Sequence, residues 1–164
     1  MADSWYLPGN VETTMRYVHT NIVAKDWQRL ARFYQDVLGC DPVGEERDLS
    51  GDWLDAGTGL KNAHIRGQHL RLPGCGESGP TLEIFSYSRM PERPDIGPNT
   101  PGITHLAFSV DNVAEVAAAF LAHGGAALGE LITKQYPDGR TLVFQYLADP
   151  EGNIVELQAW SSDP

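Results

Sequence analysis

Two histidines and two glutamates lie in apolar segments of this chain, where their side chains are costly to bury without a partner. His19 lies in "YVHTNIV" and His105 in "ITHLAFSV", while Glu83 lies in "TLEIF" and Glu156 in "NIVEL". Glutamate is depleted in strands and is almost never buried unpaired. Imidazole nitrogens and carboxylate oxygens together form a donor set that suits a divalent transition metal. These four residues are therefore the candidate metal ligands.

Each of the four residues also has an ordinary structural explanation. A single buried histidine can be satisfied by one hydrogen bond in the core, and a single buried glutamate can be one half of a salt bridge. The metal interpretation depends on all four occurring together at matched positions of an internal repeat.

That repeat is visible in the elements that must position the four residues. Segment 17–39 aligns with segment 103–124, since each has an apolar strand with a histidine, then an aspartate, then a helical pattern that ends at a glycine. The aspartate-to-glycine spacing is thirteen residues in both, from Asp26 to Gly39 and from Asp111 to Gly124. Aspartate is a favoured N-cap, and glycine is favoured directly after a helix. Both segments therefore predict a strand followed by a capped helix.

Strand-like stretches follow each predicted helix. They cover 62–72 and 81–88 in the first half and 140–148 and 153–160 in the second, with shorter ones near Val43–Arg47 and Glu130–Gln135. A proline-rich segment, 89–101, separates the halves and has the composition of a linker. We therefore predict an α+β fold of two tandem βαβββ modules, 15–88 and 102–160, each supplying one histidine from its first strand and one glutamate from its last.

Strand alternation assigns the four candidate ligands to one side of the sheets. The apolar residues on the opposite side should pack on the helices, which leaves the histidines and glutamates on a concave face. The helical patterns predict that five large residues are buried beneath the sheets: Trp27, Leu30, Tyr34, Phe120 and Leu121.

Composition limits the possible partners and location. The chain has 164 residues and a formal net charge of −10, which argues against nucleic acid or an anionic membrane as a partner. The first 14 residues lack the apolar core of a signal peptide, and no apolar run reaches the ~20 residues that span a bilayer. Cys40 and Cys75 follow no metal or redox spacing. A reduced cytoplasmic protein is the expectation.

The quoted segments, together with "GITHLAFSVDNV" and "DPEGNIVEL", resemble the vicinal oxygen chelate superfamily of glyoxalase I, methylmalonyl-CoA epimerase, bleomycin-resistance proteins and extradiol dioxygenases. The resemblance covers about residues 15–160. It implies two βαβββ modules whose sheets form one open barrel around a metal site, and it implies a homodimer. It places His19, Glu83, His105 and Glu156 at the four ligand positions.

A set of four ligands with glutamate at both carboxylate positions is most similar to the glyoxalase I-like and epimerase-like members. The resemblance therefore implies a metal-dependent lyase or isomerase that transfers a proton next to a carbonyl of a small carbonyl compound, thiol conjugate or thioester. Glu156 would be the base and Glu83 the second acid/base partner, with Ni, Co, Zn or Mn as the metal. Two alternatives stay open: an Fe(II) extradiol-type dioxygenase, and a binding protein that confers resistance by sequestering a small molecule or antibiotic.

The substrate is not assigned by any of these residues. No basic cluster matches the family's positions for substrate carboxylates or phosphates, and the cations Arg66, Arg71, Lys134 and Arg140 are explained as well by solvated strands and loops. The other histidines, His64, His69 and His123, match no ligand position. The aromatic residues Phe85, Tyr87, Tyr146 and Trp160 fit either an apolar pocket or core packing.

Overall fold

The computed structural model describes residues 15–162, and within them helices alternate with runs of strands. The strands are β1 (His19–Val23), β2 (Asp41–Ser50), β3 (His64–Arg71), β4 (Thr81–Tyr87), β5 (His105–Ser109), β6 (Ala126–Ala127), β7 (Ile132–Gln135), β8 (Arg140–Ala148) and β9 (Ile154–Ser162). The helices are α1 (Trp27–Leu38), α2 (Asp52–Thr58) and α3 (Val113–Ala122). The segment 1–14, for which no leader is expected, lies outside the described residues, as do residues 163–164.

The strands form two sheets with the same internal order. Sheet one runs β1-β4-β3-β2, and sheet two runs β5-β9-β8-β6 with β7 also paired to β8. In each sheet the first strand pairs in parallel with the last strand of its half, and the remaining pairings are antiparallel. The predicted α+β class with two βαβββ halves is confirmed. The sheets stay open and curved and do not close into a barrel.

Helix α1 follows its predicted caps, and α3 differs by one residue. The Asp26 side chain accepts a hydrogen bond from the backbone N–H of Arg29, and Gly39 ends α1 with φ +65°. In the second half, however, Asn112 is the N-cap through its bond from the Glu115 N–H, so the prediction of Asp111 as the cap is wrong. Asparagine caps as well as aspartate does, and the pattern alone could not choose between adjacent residues.

One apolar core joins both halves of the chain. Helices α1 and α3 pack on one face of each sheet, and the ring of Phe33 meets the ring of Phe120 edge-on at 4.6 Å between centroids. Trp27, Leu30, Tyr34 and Phe120 are buried there, as predicted. Leu121 is 48% exposed, so its predicted burial is wrong. The buried stripe of α3 consists of Val113, Ala117 and Phe120, and one residue further along a helix turns the side chain about 100° away.

A helix that the sequence patterns did not predict covers part of the opposite face of sheet one. Leu54 of α2 packs with Ile65 and Phe85 in a second, smaller core. These strand residues alternate with the residues buried under α1, so α2 lies on the same face as Glu83. Gly67 allows this packing, because a Cβ atom there would overlap the Phe85 ring. Sheet two has the short strands β6 and β7 after its helix instead of a second helix.

None of the helices within residues 15–162 is long and apolar enough to cross a membrane.

Candidate functional site

The first histidine and glutamate are brought together in sheet one. His19 begins β1 and lies opposite Thr81 of β4 in the parallel register, so Glu83 lies two residues further along β4 on the same face. The His19 Nε2 atom is 3.2 Å from Glu83 Oε2. The imidazole is 40% exposed, whereas the Glu83 side chain is 15% exposed. The histidine was expected within the strand, but it starts the strand, which explains its exposure.

Sheet two repeats this arrangement. His105 begins β5 opposite Ile154 of β9, and Glu156 lies two residues beyond that partner. The His105 Nε2 atom is 3.2 Å from Glu156 Oε2, and the Glu156 side chain is 15% exposed. The same atoms are therefore paired at the same distance in both sheets, although the two sequences share few residues.

The spacing within each pair suits a shared metal ion. Nitrogen and oxygen ligands bind such an ion at about 2.0–2.2 Å, so two neighbouring ligands at right angles are about 3 Å apart. Each histidine–glutamate pair has that spacing, and its donor atoms are the kinds that borderline transition ions prefer. Within residues 15–162, however, no three His, Cys, Asp or Glu side chains are arranged together to hold a metal. The structure thus places the four predicted residues as two pairs in two sheets.

A third histidine, which the sequence patterns did not assign, contacts Glu83. His69 lies directly opposite Glu83 in the antiparallel β3–β4 ladder, and its Nε2 is 2.8 Å from Glu83 Oε1. Its Nδ1 is 3.2 Å from the hydroxyl oxygen of Thr81. The family's ligand positions gave no reason to choose His69, but alternation along β3 places it on the face opposite the buried Leu70, which is the face of Glu83.

Neighbouring groups shift the pKa of His69 in opposite directions. Burial lowers it most, the carboxylate of Glu83 raises it, and the positive charges of Arg47 and His19 lower it further, so that the net pKa lies below the usual value of 6.5. A neutral imidazole has one N–H, and the ionised carboxylate can only accept. Nε2 therefore donates to Glu83, and Nδ1 accepts from the Thr81 hydroxyl.

The equivalent position in sheet two holds a tyrosine. Tyr146 lies opposite Glu156 in the β8–β9 ladder, as His69 does opposite Glu83. Its ring packs edge-on against the His105 ring at 5.2 Å between centroids. Burial, and then the charge and hydrogen bonding of Glu156, raise the pKa of Tyr146 above 10.0. The phenol is therefore a neutral donor beside Glu156 at neutral pH.

The turn "DPEGN" holds the start of β9, and so the approach to Glu156, against the first half of the chain. Asp149 Oδ1 accepts hydrogen bonds from the backbone N–H groups of Glu151 and Asn153, each at 2.9 Å. Its Oδ2 accepts from the Tyr34 hydroxyl of α1 at 3.0 Å. Arg93 donates to the Glu151 and Gly152 carbonyl oxygens at 2.6 and 3.0 Å. This turn therefore connects helix α1, the segment between the sheets and strand β9.

We expect Asp149 to give folding a characteristic pH dependence. Burial raises its pKa above 3.8 despite the opposing hydrogen bonds from Asn153, Tyr34 and Glu151. The folded chain therefore holds this proton to a higher pH than the unfolded chain, so the Asp149 contribution to the free energy of unfolding falls as pH rises from about 4 through the raised pKa. Urea unfolding of the wild type and Asp149→Asn across pH 2–7 measures the difference.

The exposed Asp138 supplies a control of opposite sign. Hydrogen bonds from Arg140 lower its pKa below 3.8, so its stabilising contribution is present above that value and is lost as pH falls through the lowered pKa. The free energy of unfolding of the wild type therefore includes a small increase with rising pH that comes from Asp138, and the Asp138→Asn variant should lack it. A wild type and Asp149→Asn variant with parallel pH profiles would contradict the Asp149 prediction.

A cavity of about 240 Å³ lies between the two sheets. Residues of β1, of β5 and of the turn before β9 line it, with Asn21 and His105 among them. A larger groove of about 350 Å³ lies between α1 and the end of α3, lined mainly by charged side chains such as Arg29, Arg32 and Asp36. Of the four predicted ligands, His105 lines the cavity between the sheets, and none of them lines the larger groove.

Most of the remaining candidate side chains take structural positions. His64 and Arg66 pair with Asp48 at 2.6 and 3.4 Å, and the His123 Nδ1 contacts the Ala119 carbonyl oxygen at 2.8 Å at the end of α3. Arg140 pairs with Asp138 and lies over the Trp160 ring. Lys134 lies on the exposed strand β7. Phe85 belongs to the small core under α2, with Tyr87 packed against it.

The two cysteines are free: Cys40 is buried and Cys75 is exposed. Burial raises the pKa of the Cys40 thiol to about 12, so it is an inert core residue.

Comparison with known proteins agrees with this fold. The chain is 29% identical over 140 residues to the protein YaeR of Escherichia coli (strain K12), covering 85% of this chain and 92% of that protein. A glyoxalase family protein from Bacillus cereus has a similar crystal structure, with a TM-score of 0.74 and 21% identity, covering 94% of this chain and 99% of the other. A glyoxalase family protein from Enterococcus faecalis matches with a TM-score of 0.53 and 26% identity, covering 90% and 98%.

A family model spans nearly the whole described region. Residues 16–157 match the model of the glyoxalase/bleomycin resistance protein/dioxygenase superfamily. This range includes both histidine–glutamate pairs, the α1 and α3 helices and the "DPEGN" turn. The chain belongs to the glyoxalase/bleomycin resistance protein/dioxygenase superfamily.

Proposed function

We propose that this chain is a divalent-metal-dependent enzyme that transfers a proton next to a carbonyl group, as glyoxalase I-like lyases and epimerases do. Its substrate would be a small carbonyl compound, a thiol conjugate or a thioester. The observation that carries the proposal is the repeated pair, in which His Nε2 and Glu Oε2 lie 3.2 Å apart in both sheets. Chance burial of a histidine and a glutamate does not account for the same atoms at the same spacing twice.

His19, Glu83, His105 and Glu156 would hold the metal, which we propose to be Ni, Co, Zn or Mn. When bound, such an ion polarises the carbonyl and stabilises the negative charge that develops as the adjacent proton leaves. The side chains of the protein would bind this ion and balance its charge. The two imidazoles at the starts of β1 and β5 supply nitrogen donors, and the two carboxylates add the negative charge that retains a divalent ion.

Proton transfer is assigned to the glutamates. Glu156 would take the proton from the carbon next to the carbonyl, and Glu83 would act as the second acid/base partner. A carboxylate that is 15% exposed is accessible to a bound molecule and yet largely screened from bulk water. Such partial burial favours proton exchange with a bound substrate over exchange with solvent.

The metal tests this proposal directly. The protein, stripped with a chelator and titrated with Ni²⁺, Co²⁺, Zn²⁺ or Mn²⁺, should bind one ion per chain. The loaded protein should exchange the proton next to the carbonyl for deuterium in D₂O, followed by NMR across a panel of hydroxycarbonyl compounds, hemithioacetals and thioesters. Preference for Fe²⁺ with oxygen consumption would support the dioxygenase alternative instead. Failure to bind any of these ions would leave the small-molecule binding protein as the better description.

Removal of one imidazole should empty the site. In His105→Ala, two carboxylates and a single histidine remain, and this set holds a borderline ion less well. We expect metal content after dialysis to fall from about one ion per chain to a small fraction, as measured by elemental analysis. His123→Ala is the matched control, because that histidine lies at the end of α3 and contacts only a helix carbonyl. Equal metal content in both variants would argue against His105 as a ligand.

The same proposal includes a homodimer in the cytoplasm, with the two modules bounded at 15–88 and 102–160 around the linker 89–101. Exposed apolar side chains support the dimer, among them Trp53 and Ile132, which are 62% and 41% exposed. Analytical ultracentrifugation of the metal-loaded protein would measure the mass in solution. A monomer at micromolar concentration would exclude the dimer.

A further inference from the structure

The two glutamates differ in how many groups hold them, even though their contacts with the first-strand histidines match. Glu83 Oε2 faces His19 Nε2 at 3.2 Å and also accepts a hydrogen bond from Asn21 Nδ2 at 3.3 Å. Glu83 Oε1 accepts from His69 Nε2 at 2.8 Å. Both oxygens of this carboxylate are therefore occupied, and they are held from two different strands.

Glu156 lacks one of these contacts, and a different side chain supplies the other. The residue that corresponds to Asn21 is Ala107, which lies opposite Glu156 in the β5–β9 register as Asn21 lies opposite Glu83, and an alanine side chain offers no donor. The residue that corresponds to His69 is Tyr146, whose phenol lies beside Glu156 in place of an imidazole. The two sheets therefore repeat the ligand positions but not the residues around the ligands.

His69 is itself fixed on three sides. Its Nδ1 contacts the Thr81 hydroxyl at 3.2 Å, its ring packs edge-on against Phe85 at 5.9 Å between centroids, and it meets the His19 ring edge-on at 6.0 Å. Phe85 is in turn held by Gly67 and the small core under α2. A donor that cannot rotate away holds its acceptor in one orientation, and α2 has no counterpart in sheet two.

We propose that His69, supported by Asn21, is a positioning residue that holds the Glu83 carboxylate in one orientation as a metal ligand, so that the first proton abstraction falls to Glu156, which fewer groups hold. This inference rests on the proposed function, since it assigns unequal roles to the two glutamates of that site. Hydrogen-bond partners that orient a ligand often matter to metal affinity nearly as much as the ligand does. His69 contacts neither metal nor substrate in this role.

Cobalt binding tests the assignment without any substrate. We expect His69→Ala to weaken Co²⁺ affinity about 10–100-fold, measured by calorimetry, and to shift the visible absorption spectrum of bound Co²⁺ because Glu83 can then turn. His69→Gln should restore both to near wild-type values, since its Nε2 lies about where the imidazole Nε2 lies and still donates. Asn21→Ala should shift affinity in the same direction by a smaller factor.

His64→Ala is the matched control. His64 is in the same strand as His69, but it lies on the opposite face and pairs with Asp48 at 2.6 Å. The inference would be overturned if His69→Ala had the same Co²⁺ affinity and the same absorption spectrum as His64→Ala. A glutamine variant as weak as the alanine variant would overturn it too, because the donor would then not be what matters.

Two further measurements separate the possible failures. If the wild type binds Co²⁺ but His69→Ala binds it equally well, this inference fails and the proposed function stands. If the wild type binds none of Ni²⁺, Co²⁺, Zn²⁺ and Mn²⁺, both fail. Should thermal unfolding show that His69→Ala is not folded, Thr81→Val carries the test. It removes the hydroxyl beside Nδ1 with little change in volume, and a several-fold weaker Co²⁺ affinity is expected. Unchanged affinity in a folded Thr81→Val variant would count against the inference.

Discussion

Glu156→Gln should bind its metal and yet lose most of its turnover. The substitution keeps the shape of the side chain and a carbonyl oxygen that can coordinate, but it removes the group able to accept a proton. Loss of a positioned general base lowers turnover by about 10²–10⁴-fold. Metal content by elemental analysis and deuterium exchange of the loaded protein separate the two effects in one preparation. Glu77→Gln, in the exposed turn between β3 and β4, is the control for loss of a negative charge.

The companion variant Glu83→Gln distinguishes the two glutamates. His69 and Asn21 hold the Glu83 side chain from two strands. We therefore expect Glu83→Gln to weaken metal affinity more than Glu156→Gln does, and to slow proton transfer less than Glu156→Gln does. An active Glu156→Gln beside an inactive Glu83→Gln would mean that the two halves exchange roles. Full activity in both variants would refute the proton-transfer mechanism and would make an oxygen-dependent reaction the next one to assay.

Leu30→Ala should destabilise the protein by about 2–5 kcal/mol, because it leaves a cavity in the core shared by both sheets. Leu30 is fully buried on the face of α1 that contacts the sheets. Chemical denaturation, analysed for the free energy of unfolding, measures the effect. Turnover per folded, metal-loaded molecule should hardly change, since the core lies on the opposite face of the sheets from the two histidine–glutamate pairs.

Leu121→Ala is the matched control for this prediction. It makes the same change in a helix of the other half, but Leu121 is 48% exposed, and exposed substitutions usually change stability by less than about 0.5 kcal/mol. Equal losses of stability in the two variants would show that α3 buries a different face from the one in the structure. A large loss of turnover in folded Leu30→Ala would refute the separation of core and site.

The internal repeat is not exact around the two glutamates. Two equal halves would supply two equivalent carboxylates, whereas the proposed mechanism gives the two glutamates different roles. Here the halves agree in the His19–Glu83 and His105–Glu156 pairs and differ in Asn21, His69 and helix α2. The differences lie in residues around the ligands, so they can give the two glutamates different roles without changing the ligand positions.

The sequence by itself determined the features that depend on local patterns. Helix α1 with its caps at Asp26 and Gly39, the alternation that places Glu83 and Glu156 on one face, and the repeat of strand and helix all follow from spacings of a few residues. These features are encoded locally, because a strand repeats every two residues and a helix every 3.6 residues wherever they occur in the chain.

Only the tertiary structure decided which neighbours each of these residues has. His69 contacts Glu83 because of the register of the β3–β4 ladder, which pairs residues 14 positions apart, and no local spacing specifies that register. Helix α2 was missed because one apolar residue, Leu54, suffices to bury it against a sheet face that forms elsewhere. Leu121 was wrongly predicted to be buried, because packing against the sheet buries a narrower stripe of α3 than the pattern of apolar residues in the sequence indicates. In each case the deciding contact joins residues distant in sequence, and its free energy is gained only once the sheets have formed.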